Sequence, residues 1–212
     1  MIEYHKIETL FERDVKGTKK LIEGKYRNEA VEYLKDNMWV FTEKIDGTNI
    51  RVCWDGHKVT FAGRTERANI PAHLENKLTE LFLNDETEQL FEQMFGEKEV
   101  ILFGEGYGHK IQNGGDYRDD VSFILFDVMI NGYYQPRAAV TGIAESFGIE
   151  VVPIVLVGTI ADAVEFVKKQ PKSTIGKADM EGLVGKPRVE MKDRAGNRII
   201  VKVKARDFKN DR

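Results

Sequence analysis

Trp39–Gly63 reads WVFTEKIDGTNIRVCWDGHKVTFAG. Trp39–Ile45 and Thr48–Trp54 are rich in β-branched and aromatic residues, which predicts two strands. Asp55-Gly56 is a hairpin signal that sends the chain back into HKVTFAG. Working outward, EVILFGEGYG and VSFILFDVMI are further strands, and Asn131-Gly132 turns the second into Tyr133-Tyr134. A helix is predicted over Asn28–Lys35. The apolar spacing of Ala72–Phe95 predicts a helical stretch broken near Asn84-Asp85. Pro136 suits the first turn of a helix running to Phe147, where Gly148 can cap it. Thr159 with Asp162 forms a capping box that opens a helix to about Lys169. EGLVGKP then predicts a strand, and VEMKDRAGNRIIVKVKA a hairpin turning near Ala195-Gly196-Asn197. Antiparallel strands dominate and the helices come as separate blocks, so the fold class is α+β rather than a doubly wound parallel sheet.

The 212 residues are 42% hydrophobic and 32% charged, enough for one large core or two small ones. No Pro/Gly/Ser-rich linker divides them, and the expectation is a single domain over residues 1–212. The longest apolar run, Val151–Val157, is far short of the roughly 20 residues that cross a bilayer. The N-terminal MIEYHKIETL lacks the apolar core of a secretory signal. With Cys53 alone, neither an internal disulfide nor a cysteine zinc cage can form. These counts lead us to expect a soluble cytoplasmic protein without membrane partners. The net charge of −3 conceals an asymmetry: Lys186–Arg212 holds ten Lys/Arg against four Asp/Glu, a balance of +6, so the remainder carries −9. A basic C-terminal stretch on an acidic body suits phosphate handling, or simply a solvated hairpin.

Several segments carry chemistry. In EKIDGTN, Glu43–Asn49, a lysine stands between two carboxylates and runs into glycine. Lysine attacks covalently only as the free amine, and an ordinary pKa of about 10.4 leaves roughly one part in a thousand free at neutral pH. A nucleophilic lysine therefore needs cationic neighbours or a dry pocket. A charged turn pairing Lys44 with Asp46 is the plainer reading of this stretch alone. In LFGEGYGHKIQNGGDY, Leu102–Tyr117, glycines crowd around Glu105 without the dinucleotide fingerprint. They let backbone approach a ligand, where Glu105 could meet a ribose hydroxyl or a metal ion, or they make a bulged loop. In FILFDV, Phe126 could stack on a purine or serve as core. Lys202 and Lys204 lie two apart on a strand, so both project from one face, where an anion between them would relieve their repulsion. The four histidines show no ligand spacing.

The order of these segments is more specific than any one of them. Lys-x-Asp-Gly, Gly63-Arg64-Thr65, Phe-Gly-Glu, Phe-Asp, Glu-Gly-Leu-Val and Lys-x-Lys follow one another from Trp39 to Phe208. The series resembles that of the covalent nucleotidyltransferases: ATP-dependent DNA ligases, RNA ligases and mRNA capping enzymes. EKIDGTN, FGEGYGHKIQNGGDY and EGLVGKP most resemble the nick-sealing RNA ligases of phages and RNA-editing complexes. The resemblance implies an antiparallel-sheet, ATP-grasp-like ligase adenylation domain with inserted helices, using ATP and Mg2+ or Mn2+. It implies that Lys44 takes AMP from ATP as a phosphoramidate, passes it to a 5′-phosphate end, and lets a 3′-hydroxyl displace it. The implied partner is RNA with such ends, in a nicked duplex, and the protein a monomer of the cytoplasm, or of the host cytoplasm if phage-encoded.

By the same resemblance, Lys202 and Lys204 join Lys44 as catalytic residues, contacting the AMP phosphate. Glu43, Ile45 and Asn49 belong to the nucleotide site, Glu43 near adenine through backbone or side chain. Arg64 grips a phosphate beside the ribose, Glu105 contacts the ribose and Phe126 stacks on adenine. Glu181 serves nucleotide and metal, and Asp46 is the second metal candidate. Two departures stand out. Position 46 is aspartate where the phage type often has histidine, and the chain stops at Arg212 where relatives usually carry a further domain. The sequence thus reads as a minimal ligase without a separate C-terminal domain or as part of a longer one. A DNA ligase core, a GTP-using capping-type enzyme and a non-catalytic RNA-end-binding module remain alternatives here.

Overall fold

The computed structural model describes residues 2–209; Met1 and the last three residues of the basic stretch lie outside it. In chain order the strands are β1 (Glu8–Thr9), β2 (Phe11–Arg13), β3 (Leu21–Tyr26), β4 (Trp39–Lys44), β5 (Thr48–Trp54), β6 (Val59–Ala62), β7 (Val100–Gly108), β8 (Val121–Ile130), β9 (Tyr133–Tyr134), β10 (Glu150–Val151), β11 (Ile154–Gly158), β12 (Gly182–Pro187) and β13 (Val201–Lys204). The helices are α1 (Glu29–Tyr33), α2 (Ala72–Phe82), α3 (Asp85–Phe95), α4 (Arg137–Phe147) and α5 (Ile160–Lys168). The elements fall into two compact units. One holds the chain up to Tyr4 together with Asp46–Val152, the other His5–Ile45 together with the chain from Pro153 onward.

The Asp46–Val152 unit is built on a sheet of order β10-β8-β7-β5-β6, with β9 paired to β8. Every pairing in it is antiparallel except β10 with β8. Ile50, Val52 and Trp54 of β5 and Val100 and Leu102 of β7 face one side, where Leu74, Leu78, Phe82, Phe91 and Phe147 of the helices cover them. Phe91 and Phe147 pack with ring centroids 4.5 Å apart. Asn84 caps α3 with its side chain, which explains the break expected there. Pro136 stands at the cap position of α4 rather than inside its first turn, and Gly148 ends that helix in the left-handed conformation.

The second unit carries a sheet of order β1-β13-β12-β4-β11 and a separate β2–β3 hairpin. Trp39, Phe41, Leu183, Val201 and Val203 point into its core, against Ile160, Ala163, Val164 and Val167 of α5. The Thr159/Asp162 capping box opens that helix as expected. Two expectations need correction. β1 to β3 were not anticipated, because they are short and largely polar and β1 joins the sheet by a parallel pairing with distant β13. The hairpin expected before Val201 shrinks to one bridge, Lys192 to Arg198; its turn is organised by the Asp193 side chain, and β13 pairs instead with β12.

Two substitutions separate the contributions of packing and capping. Phe91→Ala should cost about 3–5 kcal/mol, because a fully buried ring leaves a cavity, and Thr159→Ala about 1 kcal/mol through the lost cap. Urea denaturation of both variants tests this ranking; equal losses would contradict it.

Candidate active site

In the second unit the residues of β4 alternate. Trp39, Phe41 and Glu43 are buried, and Val40, Thr42 and Lys44 take the other face. Lys44 is opposed to Gly182 of β12, and Gly182 to Lys204 of β13. One row across three strands therefore reads lysine, glycine, lysine. A Cβ at Gly182 would come 2.1 Å from the Val203 carbonyl, so only glycine lets β12 approach β13 here. Glu181, just before it, supplies the anion. Lys44 Nζ lies 2.6 Å from its Oε2 and Lys204 Nζ 2.8 Å from its Oε1. Burial pushes the Glu181 carboxyl up, but the Lys44 charge and the hydrogen bonds from Lys204 and Lys44 outweigh it and hold it below the ordinary value. Lys202 stands in the next row, opposed to Val184, on the same face as Lys204. Ile45, the residue after β4, is buried.

Glu43 is 1% exposed and faces the core. Its Oε2 accepts hydrogen bonds from the Thr174 backbone N–H at 2.9 Å and the Thr174 hydroxyl at 2.6 Å. Its Oε1 is buried with no hydrogen-bond partner among the described residues. The side chain thus fastens the loop before β12, and the Glu43 N–H donates to the Pro153 carbonyl at 3.0 Å. Thr174 gave no signal in the sequence.

The Asp46–Val152 unit holds the remaining candidates. Asp46 Oδ2 accepts from Asn113 Nδ2 at 3.2 Å, and the Asp46 N–H donates to the Tyr117 hydroxyl at 3.3 Å. Gly47 lies against β7, where a Cβ would come 2.3 Å from the Gly106 carbonyl, which gives the glycine of Lys-x-Asp-Gly its reason. Asn49 and Glu105 are opposed across β5 and β7. Asn49 Oδ1 is buried and meets no hydrogen-bond partner among the described residues, an acceptor suited to a bound molecule. Gly104 pairs with Leu125 and Phe103 with Asp127, so Phe126 is the extra residue of a β-bulge. The bulge puts half-buried Phe126 next to Asp127 on the face opposite Phe123, Leu125 and Val128. Arg64 is exposed, in the loop after β6. Tyr117 packs edge-on to Tyr107, whose hydroxyl donates to Glu150 and accepts from Arg118. Burial, then the bond to Glu150, raises the Tyr107 phenol. Among the described residues no three His, Cys, Asp or Glu side chains gather into a metal cage, and no helix is long and apolar enough to cross a membrane.

An RNA ligase family model matches residues 37–204. No curated protein matches the sequence. Among solved structures, a Naegleria gruberi RNA ligase mutant with AMP and Mn superposes with a TM-score of 0.67 at 17% identity, covering 98% of this chain and 57% of that one. A second mutant of the same ligase, with ATP and Mn, gives 0.64 at 18% identity over 85% and 52% of the two chains. The same ligase with PPi gives 0.64 at 18% identity, over 85% and 53%. This chain thus spans about half the length of the structures it matches.

The low-held Glu181 carboxyl has a consequence for stability. Its bonds to Lys44 and Lys204 contribute above its ordinary value of 4.5 and are lost as pH falls through the depressed one. Urea midpoints of the protein and Glu181→Gln, taken from about pH 7 to pH 3, should differ most at neutral pH and converge in acid. A gap that widens in acid would contradict the assignment.

Proposed function

The chain belongs to the RNA ligase family, and we propose from that premise that it is an ATP-dependent RNA ligase acting through a lysyl-AMP intermediate. The observation that carries the reading is the sharing of one carboxylate, Glu181, by Lys44 and Lys204 across adjacent strands. Residues 1–212 are read as one nucleotidyltransferase module of the ligase adenylation type, a monomer of the cytoplasm.

Lys44 is the nucleophile. As the free amine, its Nζ forms the N–P bond to the α-phosphorus of ATP while the bond to pyrophosphate breaks. A 5′-phosphate end then takes the AMP and frees Lys44. A 3′-hydroxyl attacks the activated phosphorus, closes the phosphodiester and releases AMP. Lys44 Nζ is bonded to Glu181 Oε2, so it must leave this carboxylate to reach the phosphorus, and it attacks as the free amine. Lys202 and Lys204 meet the phosphate and balance charge that builds on its oxygens. Asn49 and Glu105 serve the nucleoside, Phe126 stacks on adenine, and Arg64 meets a phosphate. Glu43 and Ile45 flank Lys44 in the nucleotide site, Glu43 without its carboxylate, which is engaged by Thr174.

Mg2+ or Mn2+ fits this donor set. Hard cations take one or two carboxylates and complete their shell with phosphate oxygens and water. Glu181 is the first candidate to hold the ion and Asp46 the second; the ion would supply neutralisation of phosphate charge when bound. The polynucleotide is RNA with 5′-phosphate and 3′-hydroxyl ends, in a nicked duplex.

Incubation with each α-labelled nucleoside triphosphate and Mg2+ tests the reading. Label should enter from ATP, be lost in Lys44→Ala, and enter far more slowly in Glu181→Ala and in Lys202→Ala with Lys204→Ala, with melting temperatures little changed in the lysine variants. Undiminished labelling of Lys44→Ala would overturn the nucleophile. Sealing of pre-adenylated nicks should favour RNA on the 3′-hydroxyl side and fall with salt more steeply than adenylylation does. A preference for DNA would move the protein to the DNA ligases.

A further inference from the structure

On the face of the β5–β8 sheet turned away from its helices, Arg51, Phe103 and Asp127 stand opposed in one row. The row has no part in the chemistry above, yet it is heavily invested. Arg51 is 0% exposed. Both of its described partners are backbone carbonyls: Nε donates to Gly63 at 2.9 Å and Nη1 to Ile2 at 2.9 Å. Its Nη2 is buried and finds no hydrogen-bond partner among the described residues. Two residues after Ile2, the Tyr4 hydroxyl donates to Asp127 Oδ2 at 2.8 Å, and Asp127 is itself 0% exposed. The Tyr4 ring meets Phe103 and Phe126 edge-on, each with centroids 5.0 Å apart. The N-terminal segment therefore crosses the row from β5 to β8, pinned at Arg51 and at Asp127.

A guanidinium taken out of water is costly, and an apolar side chain of similar volume would fill the same space more cheaply. What Arg51 supplies and an apolar residue cannot is a fixed distance between two backbone segments. One of them, Gly63, immediately precedes Arg64. At the other pin, Asp127 immediately follows Phe126, whose ring Tyr4 backs. Each anchor of the N-terminal segment is thus one residue from a group assigned to the nucleotide. Phe126 is a bulge residue, outside the regular ladder, so its ring depends on side-chain packing for its direction.

We propose that Ile2–Tyr4 is a strap, and that Arg51 and Tyr4 are positioning residues that hold Arg64 and Phe126 where they bind the nucleotide. This rests on the reading of Arg64 and Phe126 as nucleotide contacts. The strap fixes the ground-state geometry of the ATP site and touches no reacting atom. Its loss should appear in the ATP concentration for half-maximal self-adenylylation and far less in the maximal rate.

The test is a pair of double-mutant cycles on the full chain, Tyr4 with Phe126 and Arg51 with Arg64, reading half-saturation, maximal rate and melting temperature. Tyr4→Phe keeps the ring and loses the bond to Asp127. It should raise half-saturation about tenfold, the loss expected for one hydrogen bond to a charged group. Arg51→Met should do at least as much, and Arg51→Lys, which can still reach one carbonyl, should recover part. In Phe126→Ala the Tyr4→Phe change should add nothing further, and in Arg64→Ala the Arg51→Met change likewise. Should Arg51→Met fail to fold, the Tyr4 cycle alone decides. Penalties that add in full, or a lowered melting temperature with half-saturation unmoved, overturn the strap. Half-saturation unmoved in Phe126→Ala and Arg64→Ala themselves overturns the nucleotide reading and the strap with it.

Discussion

A strand turns successive side chains to opposite faces, and in both large sheets of this chain one face is covered by helices. That constraint distributes the chemistry. On β4 it sends Trp39 and Phe41 inward and leaves Lys44 on the other side; on β13 it sends Val201 and Val203 inward and leaves Lys202 and Lys204. On β5 the inward set is Ile50, Val52 and Trp54, so Asn49 and Arg51 share the remaining face. A slip of one residue in any of these strands would bury the polar set and expose the apolar one. The hydrophobic pattern that secures the fold also fixes the face on which Lys44, Asn49, Lys202 and Lys204 stand.

This alternation is why much of the architecture was legible. β5 and β8 run over the predicted residues, and α5 begins at its predicted cap. The shared face of Lys202 and Lys204 followed from period two alone. Other features arise from partners distant in sequence, which local pattern does not encode. Glu181 reads as a charge before a glycine, and nothing nearby indicates that two lysines, 137 residues upstream and 23 downstream, take one oxygen each. The bulge at Phe126 is invisible because it arises from the register with β7, where Phe103 pairs with Asp127 and Gly104 with Leu125, which the local pattern does not encode. The glycines of FGEGYG suggested backbone open to a ligand, yet a Cβ at Gly104 or Gly106 would collide with Phe123 or Leu74, so these two serve core packing.

Glu43 shows how a charge can defeat sequence reading. Beside Lys44, in a run of polar residues, it looks like a surface group or a ligand contact. In the fold it points into the core and takes both donors of Thr174. Burying a carboxylate is tolerable only when donors replace water, and here a loop residue 131 positions away supplies them. The loop leading to Glu181 is thereby tied to the strand that ends in Lys44. Glu43 can matter to chemistry at Lys44 without any contact of its own side chain with a nucleotide.

Glu181 carries the last step of this reasoning. Two ammonium groups held on one sheet face repel each other, and a carboxylate bonded to both is what makes their closeness tolerable before any phosphate arrives. In the proposed reaction the triphosphate brings its own negative charge to the same lysines. The carboxylate that stabilised the cluster then becomes a like-charged neighbour of the phosphates. Were a divalent cation bound, Glu181 is the carboxylate of this cluster that would help hold it, and the added positive charge would offset that repulsion. On this account one carboxylate has two effects: it lets Lys44 and Lys204 stand close together, and it leaves beside them a negative charge that the proposed reaction has to balance.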